Sequence, residues 1–492
     1  MSIRVESDAL GEREIPQGVY WGVHTLRALE NFPLSGLRWP GEFIVALAQV
    51  KRACAETNAV RGDLPEPQAG ALIAACREME AGALHEHVVV DPLQGGAGTS
   101  TNMNLNEVLA NRASELLGAP LGSYAPVHPL AHVNMHQSTN DVFPTALKVA
   151  GLRLLLELEA ALARLQESMQ EKERAFADVL KVGRTQLRDA VPMTLGMEFG
   201  AYAEAVARDR WRIFKCRERI KQVNLGGTAV GTGLGAPRDY VLRVVGHLGR
   251  VTGLPVSRAE NLVDATQNMD CFVEAMGMLS ALAANLLKIA NDIRLLSSGP
   301  DCGLGEVDLP PLQAGSSIMA GKINPVLPEA VAQVALKVMA SGQTVTLCAG
   351  LGQLDLNHLM PLLAHEFLDS VRLLRNAVRV FEEKCLRGLQ ARPRRCRELV
   401  DSSAALATVL VPALGYELVE AVLRRAEASG TSVAQTVQDM GLADAGTIEE
   451  LLSPRRMRKL GFSLGEYAGL RAAARGPADS VAEPEAEDTE TP

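Results

Sequence analysis

The sequence predicts a mainly helical protein of about three structural units around an elongated bundle of long helices, and three observations carry that expectation. Hydrophobic residues make up 47% of the chain but aromatics only 4%, so the core must be mostly Ala, Leu, Val and Met, the composition of packed helices. Apolar residues recur at three- and four-residue steps over several long stretches. Strand signals are few, with Val88, Val89 and Val90 forming one short candidate. A chain of 492 residues, at roughly 100–200 per domain, also buries a large core without disulfides or metals.

Taken in order, Glu107 to Leu117 is a helical run. From residue 151, Leu154, Leu158, Ala161, Leu162, Leu165 and Met169 form one apolar stripe on a long helix. Similar patterns cover 195 to 223, 259 to 298 and 327 to 348, interrupted by Gly-rich connectors at 226 to 235 and 299 to 305. Long helices joined in this way build a bundle. The 259 to 298 stretch is apolar on more than one side, through Cys271, Phe272, Met276, Leu279, Leu282, Leu286, Ile289 and Ile293. Such a helix must be covered all round, which favours subunits packed bundle to bundle. Beyond Pro393 the helices become shorter and Arg-rich, and beyond Gly476 the chain is a Pro/Glu/Ala tail unable to bury enough surface to order itself.

The formal charge is −9, and the tail contributes Asp479, Glu483, Glu485, Glu487, Asp488 and Glu490 against no Lys or Arg. The remaining 52 acidic residues nearly balance 49 basic ones, so the basic footprint of a nucleic-acid partner is missing. The start has no apolar leader pattern, and no run of about 18 uninterrupted apolar residues occurs, which reads as a soluble cytoplasmic chain without a membrane partner. The eight cysteines are scattered with no Cys-x-x-Cys pairing, the pattern of buried reduced thiols.

Four polar islands interrupt this apolar chain, and Gly, Ser, Thr and Asn are poor helix-interior residues. They are Gly95 to Asn104, Asn134 to Asp141, Gly183 to Ala190, and Gly315 to Pro325. The first precedes a helical run, where backbone N–H groups bind anions, although an ordinary capped helix start looks the same. In the fourth, Gly315-Ser316-Ser317 supplies mobile backbone and hydroxyls, Lys322 a charge, and Asn324-Pro325 a stop. Together the islands hold donors for a small polyanion. Two further patterns have blander explanations. His128, His132 and His136 are spaced like metal ligands on a helix, but Pro126 and Pro129 argue against a helix and no carboxylate or Cys joins them, so no metal site is expected. Gly231-Thr232-Gly233-Leu234-Gly235-Ala236 matches a dinucleotide fingerprint in form, yet it follows no strand pattern and Pro237 comes next, which favours a bend in a linker.

The islands in order resemble the aspartase/fumarase superfamily over about residues 15 to 470. The fourth is similar to its signature G-S-S-x-M-P-x-K-x-N. Pro16 to Phe32, Glu260 to Gln267 and Leu295 to Pro300 resemble the aspartase branch, as does Gln186, where fumarases carry a His. The resemblance implies a three-domain fold: an N-terminal mainly helical domain at 1–137, a central long-helix bundle at 138–393 forming a twenty-helix core in a homotetramer, a small C-terminal helical domain at 394–475, and the disordered acidic tail at 476–492. Each active site is then shared by three subunits. It further implies elimination of ammonia from L-aspartate to give fumarate, without metal or organic cofactor. Ser316 is then the base, aided by Lys322. Thr99, Ser138, Thr139 and Ser317 hold the β-carboxylate, Lys322, Asn324 and Thr185 the α-carboxylate, and Asn140 and Gln186 face the amino group. The chain departs from the family pattern at Ala320, usually Pro, and at His136, usually a small Ser. A related lyase acting on fumarate or an N-substituted aspartate, or a scaffold with a weakened site, are the other readings these residues allow.

Overall fold

A computed structural model describes residues 2–468 and 470–471, so the acidic tail at 476–492 lies outside the described residues. Helices dominate, and among the described residues strands occur only as two-stranded pairs. The chain divides into two compact units. The first takes the described residues up to Arg164 together with Val206–Ala290 and Glu329–Phe381; the second takes Leu165–Ala205, Asn291–Pro328 and the described residues from Glu382 onward.

In the first unit, the helix Gly41–Arg61 packs against Glu66–Glu80 and Arg238–Thr252. Its apolar residues follow no single stripe: Phe43, Ile44, Leu47, Val50 and Cys54 are all buried, and so is Lys51 in their midst. In the second unit, Leu180 and Val182 of the hairpin Leu180–Thr185/Arg188–Thr194 join a core with Val400, Leu406, Leu410, Val422 and Val437. The short helices expected after Pro393 supply that core, and Pro393 opens the first of them, Pro393–Ser402, where its missing N–H costs nothing.

The long helices fall where the periodicity puts them, as Thr139–Ala175, Leu195–Ile220, Asp270–Leu296 and Val326–Gly350. The stripe from Leu154 to Met169 is buried throughout. Three expectations need correction. Val88, Val89 and Val90 form no strand: they follow a 3-10 turn at His85–His87, and the Val89 N–H is taken by the Asn104 side chain at 2.8 Å. The helix read from Glu107 begins at Thr99, so the first island forms its opening turns. The 259–298 stretch is two helices, Leu262–Gln267 and Asp270–Leu296, with the Asn261 side chain capping the shorter one. Most cysteines are buried free thiols, but Cys302 is exposed.

Candidate functional site

In the first unit, the two N-terminal islands meet. Ser138 caps the helix Thr139–Ala175: its Oγ accepts from the Asn140 N–H at 3.2 Å, while Asp141 Oδ1 accepts from the Ser138 N–H at 2.9 Å. Pro144 lies inside that helix and cannot donate to the carbonyl of Asn140 four residues back. Asn224 Nδ2 fills the gap, donating to that carbonyl at 2.9 Å. The Asn140 side chain in turn donates through Nδ2 to the Ala229 carbonyl at 2.7 Å. Asn102, from the first island, bridges the two, donating to Thr139 Oγ1 and Asn134 Oδ1, both at 3.1 Å. Thr101 is buried, accepting from Trp39 Nε1 at 2.9 Å and bonding Gln94 Oε1 at 3.0 Å. Thr99 stands at the first helical position, half-buried.

Sequence reasoning missed two ionisable residues beneath this layer. Lys51 Nζ donates to Asn134 Oδ1 at 3.0 Å and to Gln137 Oε1 at 2.9 Å. Burial pushes its ammonium down to about 8. Burial pushes the Asp141 carboxyl up to about 6, against the pull of N–H groups from Ser138, Gly226 and Thr228 and of Lys51. The signal available for Lys51 was that it and Arg52 are the only charges in Val45-Ala-Leu-Ala-Gln-Val-Lys-Arg-Ala-Cys-Ala55, in a helix without a single apolar stripe, which is the pattern of a helix buried all round. The Gly-rich connector thus serves as a donor loop for Asp141, and the helix that follows it opens only at Arg238, past the last glycine and not within the fingerprint as a dinucleotide site needs.

The three histidines do not converge as ligands would. His128 Nδ1 accepts from the N–H groups of Leu130 and Ala131, and His132 Nδ1 from the N–H of His128, so both cap the short π-turn Pro129–Val133. His136 adopts a left-handed φ of 61°. Its ring bonds Asn58 Oδ1 at 3.0 Å and packs edge-on against Tyr240.

The second unit holds the other two islands. Thr185 and Gln186 lie at the tip of the hairpin, where Thr185 pairs with Arg188 across a two-residue turn, Gln186-Leu187, with φ of 55° and 60°. Both central residues in the left-handed region make a type I′ turn, usually given to Asn-Gly. Ser316, Ser317, Lys322 and Asn324 share one exposed loop. It is closed at its base by the Gly315 N–H donating to the Lys322 carbonyl and by Asn324 Nδ2 donating to the Gly315 carbonyl, each at 2.8 Å. A Cβ at 315 would stand 2.4 Å from the Lys322 carbonyl oxygen, so this closure requires glycine. Inside the loop, Ser316 Oγ accepts from the N–H groups of Ile318 at 3.2 Å and Met319 at 3.0 Å. Among the described residues, none of the loop's hydrogen bonds reaches the hairpin turn.

The polar islands present amides, hydroxyls and a loop cation, the donor types that hold a carboxylate substrate. A family profile described as Lyase matches residues 11–340, and one described as Fumarase C C-terminus matches 406–459. The chain belongs to the aspartase/fumarase superfamily and is a carbon–nitrogen lyase. An aspartate ammonia-lyase of Pseudomonas aeruginosa is 47% identical over 463 residues, 93% of this chain and 97% of that protein. One from Bacillus subtilis is 44% identical over 460 residues, 94% and 97% of the respective chains. Among solved structures, a fumarate lyase:delta crystallin from Brucella melitensis, bound to cobalt, superposes with a TM-score of 0.88 at 46% identity, covering 93% of this chain and all of that one.

Proposed function

We propose that the protein eliminates ammonia from L-aspartate to give fumarate, with Ser316 as the base. The observation that carries this reading is the Ser316 hydroxyl, whose oxygen already accepts two loop amide hydrogens. A serine is a base only as its alkoxide, and an oxygen preset between two N–H donors is the arrangement that lowers the cost of that anion. The alkoxide takes the proton from C3 of aspartate. The electron pair left behind is held as a dianionic aci-carboxylate, then forms the C2–C3 double bond as the C–N bond breaks and ammonia leaves.

Storing a second negative charge on a carboxylate needs fixed donors that do not reorganise. Thr99, Ser138, Thr139 and Ser317 are proposed for the β-carboxylate. Ser138 supports this, since its oxygen is used in capping and its proton is left to donate. Lys322, Asn324 and Thr185 are proposed for the α-carboxylate. Asn140 and Gln186 are proposed for the amino group, supported by the tie of Asn140 Nδ2 to the Ala229 carbonyl, which leaves Oδ1 to accept.

The same reading proposes a homotetramer in which three subunits share each site. Apolar residues left open on single-chain helices support it, with Trp211 60%, Leu336 56% and Leu347 65% exposed. A cytoplasmic location is also proposed. Asp270–Leu296 is long and apolar enough to cross a membrane, but its Asn285 donates to the buried Asp209 carboxylate, a pairing suited to a protein core.

The test is fumarate absorbance with aspartate, malate and argininosuccinate supplied in parallel. Aspartate should be consumed fastest, because Gln186 cannot relay protons as an imidazole does. Faster consumption of malate would make the protein a hydratase, and faster consumption of argininosuccinate a lyase for N-substituted aspartates.

A further inference from the structure

The hairpin carrying Thr185 and Gln186 stands on a buried charge cluster inside the second unit. Glu306 is fully buried. Its Oε1 accepts from Arg184 Nη1 at 2.8 Å, and its Oε2 lies 3.1 Å from Lys181 Nζ. Lys181, also buried, donates to Glu198 Oε2 at 2.5 Å. Both cations come from the strand Leu180–Thr185, and Arg184 immediately precedes Thr185.

The Glu306 backbone is fixed independently of its side chain. Its N–H donates to the Leu296 carbonyl at 2.8 Å, and its carbonyl accepts from the Arg392 N–H at 2.9 Å and from Cys396 Sγ at 3.6 Å. The carboxylate is therefore a fixed point, and the hairpin is fastened to it through Arg184 and Lys181. Stability alone is a poor reason for such a cluster, because desolvating buried ions offsets most of their attraction and apolar packing serves as well. What the cluster offers instead is direction: the guanidinium reaches both Glu306 and, at 3.3 Å, the Val182 carbonyl of its own strand. Direction matters at the tip, where Gln186 and Leu187 hold left-handed backbone that non-glycine residues keep only when the surroundings enforce it.

We propose that Glu306 is a positioning residue, acting through Arg184 to aim Thr185 and Gln186 at the substrate. The proposal rests on the ammonia-lyase reading of those two residues. It predicts that a change at Glu306 and a change at Gln186 damage the same interaction, so their effects do not multiply.

The experiment is a double-mutant cycle on the full-length enzyme, with steady-state kinetics on aspartate and thermal melting for wild type, Gln186→Ala, Glu306→Gln and the double variant. Glu306→Gln leaves two buried cations short of a carboxylate and can fail to fold, so a second cycle uses Arg184→Lys, which keeps the charge but loses the planar fork. Each single variant should raise KM and lower kcat/KM about tenfold, with the double no more than about twofold below the worse single. A general loss of structure would instead lower the melting temperature and the active fraction while leaving KM and additivity intact. Multiplicative losses, or wild-type kcat/KM in Arg184→Lys, overturn the positioning role alone. A wild-type enzyme that makes no fumarate from aspartate overturns the functional reading, and the proposal with it, before any variant is compared.

Discussion

The polar residues of the first unit and the loop of the second are built in opposite ways. Thr101, Asn102, Thr139 and Asp141 are buried, bridged to one another or to the helices around them, and underlain by Lys51. The Ser316 loop is exposed, with Ile318 88% accessible, and its closing hydrogen bonds run within the loop itself. The difference separates two demands of the proposed reaction. Donors that hold a growing charge act best when dry and already ordered, because reorganisation at the moment of reaction would cost what they supply. A base must admit substrate and release product, which requires a segment able to move without disturbing a core.

The largest effect should come from removing the base. Ser316→Ala should lower turnover by about a thousandfold or more, while the melting temperature stays within about 2 °C, because the hydroxyl's described bonds are confined to an exposed loop. Kinetics and calorimetry on the same preparation check both halves. A variant keeping a tenth of wild-type activity would move the base elsewhere, and a large loss of stability would show that the loop is structural, erasing the contrast between the two regions.

The same contrast explains what could be read from the sequence. Long helices were legible because their apolar spacing persists over many turns: Leu154 to Met169 announces its helix whatever surrounds it. The islands were legible as conflicts with that pattern. Lys51 was not, since a cation in an apolar helix gains meaning only when Asn134 and Gln137, more than eighty positions away, arrive to accept its hydrogens. The Thr185 hairpin was hidden because its turn uses Gln186-Leu187 in place of Asn-Gly, so the usual sequence mark of a type I′ turn is missing. Val88 to Val90 misled for the opposite reason: β-branched residues favour strands only when a partner edge is present, and here Asn104 takes the backbone hydrogen bond instead.

A second, smaller effect would sharpen the buried side of the comparison. Burial holds Lys51 at about 8, below its ordinary 10.5. Between those values the unfolded chain binds the proton and the folded chain does not, so folding stability rises with pH across that window, and the burial penalty is at full strength below it. Met in place of Lys51 has no such dependence. Measured against Lys51→Met by denaturant unfolding, the wild type should gain on the order of 3 kcal/mol between pH 8 and 10.5. Burial also pushes the Cys54 and Cys76 thiols up, which opposes this trend, but they titrate in both proteins and largely cancel in the difference. A difference that stays flat with pH would mean that Lys51 keeps its hydration, and the first unit would lose its claim to be a dry donor layer.

The smallest effect tests the mobile side. Met319 to Lys322 form a turn in which the Lys322 N–H donates to the Met319 carbonyl and Gly321 takes a φ of 78°. Glycine in the left-handed region at the third position marks a type II turn, whose second position favours proline. Ala320 occupies that position, and among the described hydrogen bonds none uses its N–H. Ala320→Pro should therefore fit the turn without strain and remove about 0.4–1 kcal/mol of ordering entropy from the open loop. Because Ser316 and Lys322 flank the turn, that gain should appear as a severalfold lower KM for aspartate, with the melting temperature almost unchanged. Stiffening can also slow product release, in which case maximal turnover falls while KM still drops. Steady-state kinetics separates the two, and either result keeps position 320 in the catalytic loop. Unchanged kinetics beside a melting shift of many degrees would instead tie the loop to the fold, and the second unit's loop would no longer stand apart from the buried layer of the first.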